Sequence, residues 1–162
     1  MRKLIAILTA TIVFAPLWAT AIETPRIIPR SARIERPIEQ AYGTLKQYFA
    51  DSSLSGFRLT STNEKAWTLV ATRSGIDGAN WNHWAFCKAS PEQMIYQFKQ
   101  GTAAVTVELQ KSGTQATFAT VSVDFQGTYG LGSDEATIAC TSKGNAEQDV
   151  IAVAGGPAKD SH

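Results

Sequence analysis

Histidine is nearly missing from this chain: His83 and His162 are the two present, and the second is the last residue. Without imidazoles or a cysteine cluster to supply ligands, a zinc or copper site cannot be assembled, and no metal or other cofactor is expected. Cysteine is as scarce. Cys87 and Cys140 stand far apart, without the Cys-x-x-Cys spacing of thiol oxidoreductases. His83 and Cys87, four residues apart on an extended segment, would be separated by about 13 Å, too far for proton transfer. Charge of either sign is not in excess, with 15 basic and 14 acidic residues. Nucleic acid therefore has no electrostatic footprint to bind. Long apolar runs are lacking too: the one candidate, at the N-terminus, ends at Phe14, short of the roughly 20 residues that a spanning helix needs.

That N-terminal run carries the strongest signal present. Arg2-Lys3, the apolar stretch Leu4 to Phe14, Pro16 and Ala19-Thr20-Ala21 follow one another as the basic, apolar and small-x-small regions of a secretory signal peptide. Cleavage after Ala21 is expected, and no cysteine stands nearby to take a lipid anchor. Taking Arg2 and Lys3 from the 15 basic residues leaves 13 against 14 acidic ones, a nearly neutral mature surface. About 140 residues remain, enough for one domain that buries roughly two-thirds of its unfolded surface. A periplasmic or secreted address makes a disulfide between Cys87 and Cys140 the expected fate of both thiols. Closing that long loop restricts the unfolded chain by about 4 kcal/mol.

Residues 22–30 read as a lead-in. Arg26, Arg30, Arg33 and Arg36 form a basic arm that either docks on an acidic partner or anionic head groups or stays solvated, with a first strand over Ser31 to Glu35. Pro37 opens a helix whose stripe is Ile38, Ala41, Tyr42, Leu45, Tyr48 and Phe49, ended by Ser52 to Gly56. The period then falls to two. Strands are expected at Phe57 to Ser61, Ala66 to Arg73, Asn80 to Lys88, Gln93 to Gln100, Ala103 to Lys111, Ala116 to Gln126 and Glu135 to Cys140. Turns fall at Thr62 to Lys65 and Lys111 to Thr114, and a glycine-rich loop at Gly127 to Ser133. A short helix from Ser142 to Ala154 closes the domain, and residues 156–162 form a disordered tail. The fold class is α+β: over residues 31–155, one curved antiparallel sheet of six to seven strands with an N-terminal and a short C-terminal helix packed on it.

Asn80 to Cys87 is the densest local feature. Read as a strand, it points Trp81 and His83 one way and Trp84 and Phe86 the other. Such a strand is either covered on both sides or exposes an aromatic patch for a sugar, peptide or lipid chain, which Trp67 and Tyr96 would extend. The Gly127 to Gly132 loop opens a strand rather than a helix, so it offers no phosphate site. Asp124, Asp134 and Glu135 fall at strand ends, where carboxylates are ordinarily solvated.

The element order resembles helix-grip domains, in which an antiparallel sheet wraps a helix and often leaves room for an apolar ligand. It also resembles accessory lipoproteins of the outer-membrane barrel-assembly machinery, whose lipid-anchor cysteine this chain lacks. Cys140-Thr141-Ser142-Lys143-Gly144-Asn145-Ala146-Glu147 is similar to the ends of uncharacterised periplasmic proteins of proteobacteria. None of these resemblances transfers a functional residue. Three functions stay open: a non-enzymatic envelope adaptor that binds a partner protein or envelope component, a carrier of an apolar ligand between sheet and helix, and a hydrolase using scattered carboxylates. The first is expected, since no catalytic set is recognisable.

Overall fold

The computed structural model describes residues 29–88 and 97–157. The expected signal peptide with its cleavage site, Arg26, Tyr96 and most of the tail lie outside the described residues.

Pro37 does start a helix. It leads from β1 (Arg30–Ile34) into α1 (Ile38–Ala50), which buries Ile38, Ala41, Tyr42, Leu45 and Phe49. That is a stripe at spacings of three and four, as amphipathic packing requires. A single turn, α2 (Ser52–Ser55), follows under the Asp51 carboxylate and ends at Gly56. Next come β2 (Arg58–Asn63) and β3 (Thr68–Ile76). Their turn lies two residues later than the spacing of polar residues predicts. The Asn63 side chain accepts from the Ala66 amide at 3.1 Å, and the chain reverses over Glu64 to Trp67.

The expected strand over Asn80 to Lys88 is a helix for most of its length. α3 (Gly78–Trp84) is followed by a two-residue strand, β4 (Ala85–Phe86). The reason is local. Asp77 accepts from the Asn80 amide at 2.9 Å and so caps the helix, and Trp81 and Ala85, four residues apart, are buried together. Alternation of aromatics imitated a period of two where the buried positions follow the helical one.

β5 (Gln97–Lys111), β6 (Thr117–Leu131) and β7 (Asp134–Ser142) form the centre, and α4 (Asn145–Val153) closes the fold. The expected glycine-rich loop at Gly127 to Ser133 is therefore also corrected: β6 runs on to Leu131 before a tight turn. Gly155 and Gly156 end α4 by donating back to Ala152 and Ile151, a glycine-dependent helix stop.

All pairings are antiparallel, in the order β2-β3-β5-β6-β7-β4, with β1 also on β6. Since β5 occupies one edge of β6, β1 and β7 share the other end to end, over residues 117–121 and 125–131. Odd-numbered residues of β5 and β6, among them Val105, Val107, Leu109, Val121, Val123 and Phe125, are buried with the side chains of α1, α3 and α4 in one core. The helices thus cover one face of the sheet. The other face carries Thr102, Ala104, Thr106, Thr120, Ser122, Asp124 and Thr128, half-buried rather than enclosed.

Candidate functional site

Cys87 and Cys140 form a disulfide with an S–S distance of 2.09 Å. It joins the chain just after β4 to β7. Trp81 docks beside it: the indole Nε1 donates to Cys87 Sγ at 3.3 Å, the ring stacks on Phe98 at 5.4 Å and meets Phe125 edge-on at 5.5 Å. Beneath the ring, Gly101 and Gly127 are cross-strand partners. A Cβ on Gly101 would stand 2.1 Å from Trp81 Cε3, and one on Gly127 3.3 Å from Cζ2. The two glycines make the sheet flat where the indole lies. Trp81 is 3 % exposed. Removing a side chain of this size from water contributes about 5 kcal/mol, and its placement makes Trp81 an anchor rather than a binding surface.

The other aromatics proposed for that surface are dispersed. Trp84 is half-buried, 6.0 Å from Phe57 and under the guanidinium of Arg73 at 4.9 Å. Trp67 sits edge-on to Tyr42 at the opposite end of the sheet, where its carbonyl accepts from Leu109. Eight residues of β5 separate Gly101 from Leu109, about 26 Å in an extended strand. His83 is exposed, and its carbonyl accepts from the Asn145 amide at 2.7 Å. Trp67 and Trp81 therefore do not share a surface.

Three of the four arginines of the basic arm belong to the folded domain. Arg30 begins β1 and lies against Gly144, Arg33 pairs with Glu35 at 2.9 Å, and Arg36 lies against Gly155 while its carbonyl accepts from Thr117 at 2.7 Å. None of these placements leaves a loose, uniformly basic segment.

Arg30 has a buried neighbour. Glu147 is fully enclosed; its Oε2 accepts from Ser142 Oγ at 2.7 Å, whereas Oε1 finds no partner among the described residues. Burial pushes its carboxyl above the ordinary carboxylate range, with the Ser142 hydroxyl and the charge of Arg30 pulling the other way.

A cavity of about 600 Å³ is lined by Ser52 and Gly56 at the α2 turn, by Arg73 and Ala103, and by residues of the sheet face that α1, α3 and α4 leave uncovered. Arg58, Thr72, Ala104 and Asp124 line it, and they form one row across β2, β3, β5 and β6. Ser74, Thr102 and Gln126 line it beside that row. The sequence pattern brings them together because each is an outward position next to a buried one. Neither Arg58 nor Asp124 has a hydrogen bond or ion pair among the described residues. The groove thus holds an uncompensated cation and an uncompensated carboxylate over a floor of hydroxyls and a methyl group. Asp124 is the one carboxylate among the described residues that line the groove. It can hold a polar ligand.

None of these groove residues except Asp124 stands out in the sequence. The available signal was the polar half of the alternation in β5 and β6: threonine, serine and alanine where a solvated face usually carries lysine and glutamate. The apolar-carrier expectation places its cavity elsewhere, between α1 and the sheet, where Tyr42, Leu45, Phe49, Leu69, Val105, Val107 and Val121 are all buried in the continuous core.

No helix among the described residues is long and apolar enough to cross a membrane. No family model matches the chain, and comparison with curated proteins gives no match. Among solved structures, it is similar to a DUF4468 family protein from Bacteroides ovatus, with 11% identity and a TM-score of 0.37 over 68% of this chain and 60% of the other. It is also similar to a TBP-like protein from Parabacteroides distasonis, with 9% identity and a TM-score of 0.38 over 70% of this chain and 65% of the other. The matches take in less than two-thirds of either neighbour.

Proposed function

We propose that this protein is a non-enzymatic binding domain of the cell envelope, which receives a partner or envelope component on the open face of its sheet. The observation that carries this reading is the groove with Arg58 and Asp124 at its two sides, neither with a hydrogen bond or ion pair among the described residues, over the sheet face that α1, α3 and α4 leave open. Groups of opposite charge held at fixed positions over a neutral floor orient a ligand without transforming it. The disulfide accords with an oxidising compartment such as the periplasm or the exterior, and the leader-like N-terminus with export to it.

Filling the groove tests the reading without altering its charges. Ala104 lies on the floor, so Ala104→Trp blocks it while the opposite face keeps its packing. Wild-type protein immobilised on a support is expected to retain an envelope component from a fractionated extract, and the Ala104→Trp variant to lose at least nine-tenths of it. Equal recovery by both proteins, with equal melting temperatures, would refute the groove as the binding face.

A further inference from the structure

Arg58 and Asp124 also limit what chemistry can occupy the groove. They stand in register with Thr72 and Ala104 between them, so their Cα atoms are three strand spacings apart, about 14 Å in an untwisted sheet. The two sides differ in sign. Arg58 lines the β2 side, whereas Asp124 and Gln126 line the β6 side; the Arg73 guanidinium is engaged over the Trp84 ring at 4.9 Å. An occupant that covered both sides without complementary charges would strand two ions away from water. A purely anionic ligand would meet Asp124, and a purely cationic one would meet Arg58.

The floor narrows the choice further. Thr72 offers a hydroxyl that can donate or accept, the Thr102 hydroxyl donates to the Gln126 carbonyl at 3.4 Å and is left to accept, and Ala104 offers only a methyl group. No aromatic ring among the described residues lines the cavity, so a nucleobase or a sugar ring has none of them to stack on. With an inward reach between none and the full length of an arginine side chain, about 7 Å, the 14 Å row takes ligands of about 7–14 Å, the length of two to four extended residues at about 3.5 Å each. A volume of about 600 Å³ is within the ordinary range for small-ligand sites.

We propose that the groove binds a zwitterionic short peptide of two to four residues, with its terminal carboxylate on Arg58 and its terminal ammonium on Asp124. This inference rests on the reading that the open sheet face is the binding surface. Backbone amides of the peptide would meet Thr72 and Thr102, and small side chains would fit above Ala104.

Titration calorimetry with the full chain separates the two charge contacts. Trialanine is the probe, compared with its N-acetylated and C-amidated forms. Each cap is expected to weaken binding to the wild-type protein about tenfold, the scale of one charge-assisted hydrogen bond. Arg58→Ala should bind trialanine and its C-amide equally, and Asp124→Asn should bind trialanine and its N-acetyl form equally. A purely structural effect of either substitution would weaken all three probes together. Failure of trialanine to bind, or cap penalties that persist in the matching variants, overturns the peptide assignment. If that happens while Ala104→Trp still abolishes recovery of an envelope component, the groove reading survives and only the ligand class is wrong.

Discussion

Replacing Gly101 by alanine adds one methyl group where the structure has none to spare. The new Cβ would stand 2.1 Å from Cε3 and 2.3 Å from Cζ3 of Trp81, well inside van der Waals contact. The indole cannot retreat easily, because Phe98 stacks on it, Phe125 meets its edge, and its Nε1 is tied to the disulfide sulfur. Overpacking of this kind costs about 1–3 kcal/mol, and alanine returns about 0.5–1 kcal/mol of strand preference over glycine. A net loss of about 2 kcal/mol follows, near the top of the overpacking range because both atoms struck belong to a rigid ring. For a domain of this size that lowers the melting temperature by about 8 °C. Differential scanning calorimetry measures it directly. Trp81→Leu removes the clash, so Gly101→Ala should cost almost nothing, or even stabilise, in the Trp81→Leu background. Equal losses in the two backgrounds would refute the account of the glycine pair as a seat for the indole.

Three further outcomes are expected. Reduction of Cys87–Cys140, or its replacement by Cys87→Ser with Cys140→Ser, should cost up to about 4 kcal/mol, and thiol titration of the unreduced, unfolded protein should find no free thiol; an unchanged melting temperature on reduction would contradict it. The buried Tyr42 hydroxyl makes no hydrogen bond among the described residues, so Tyr42→Phe should be neutral or stabilise by about 1 kcal/mol in a urea titration, and a loss above that size would reveal a partner. Glu147→Gln should stabilise at neutral pH. The native carboxyl titrates above its ordinary value, so its contribution is fully present below about pH 4, diminishes as pH rises through the raised native value, and is replaced by a constant penalty beyond it. Glutamine keeps the acceptor for Ser142 without the charge. Urea unfolding at pH 4 and pH 7 should therefore show the variant gaining on the wild type as pH rises, and a constant difference would exclude the charge as the cause.

The two longer helices are readable from sequence because their signals are local and redundant. Pro37 and a stripe of five buried side chains define α1, and Gly155-Gly156 stop α4. The misread elements turn on a local cap that the aromatic alternation masks and on a contact between residues distant in sequence. Asn80 to Trp84 carries aromatics at alternate positions, and only the cap at Asp77 and the buried pair Trp81 and Ala85 show that the period is helical. Gly127, Gly130 and Gly132 look like a loop, yet Gly127 lies in β6, where a Cβ would meet Tyr129 at 2.9 Å and Trp81, 46 residues earlier, at 3.3 Å. The disulfide was readable from two cysteines in a chain whose N-terminus has the pattern expected of a leader. The groove was not: Arg58, Thr72, Ala104 and Asp124 form a row only once three strand registers are known.

Those registers connect the two faces of the sheet. Gly101 and Gly127 belong to the helix-covered face, and the next positions along β5 and back along β6, Thr102 and Gln126, line the groove on the other. A slip of one residue between β5 and β6 would turn every side chain of one strand to the opposite face. It would put Thr102 or Gln126 under the indole and remove Ala104 and Asp124 from their row. The indole, seated on a glycine pair and tied to a sulfur that is bonded to β7, therefore resists that slip on three strands at once. On this argument Trp81 acts on ligand binding without touching the ligand. Trp81→Leu should weaken recovery of the envelope component in proportion to the loss of strand order, read as faster amide hydrogen exchange in β5 and β6. Full recovery by a variant with exchange-labile central strands would show that the groove does not depend on this register lock.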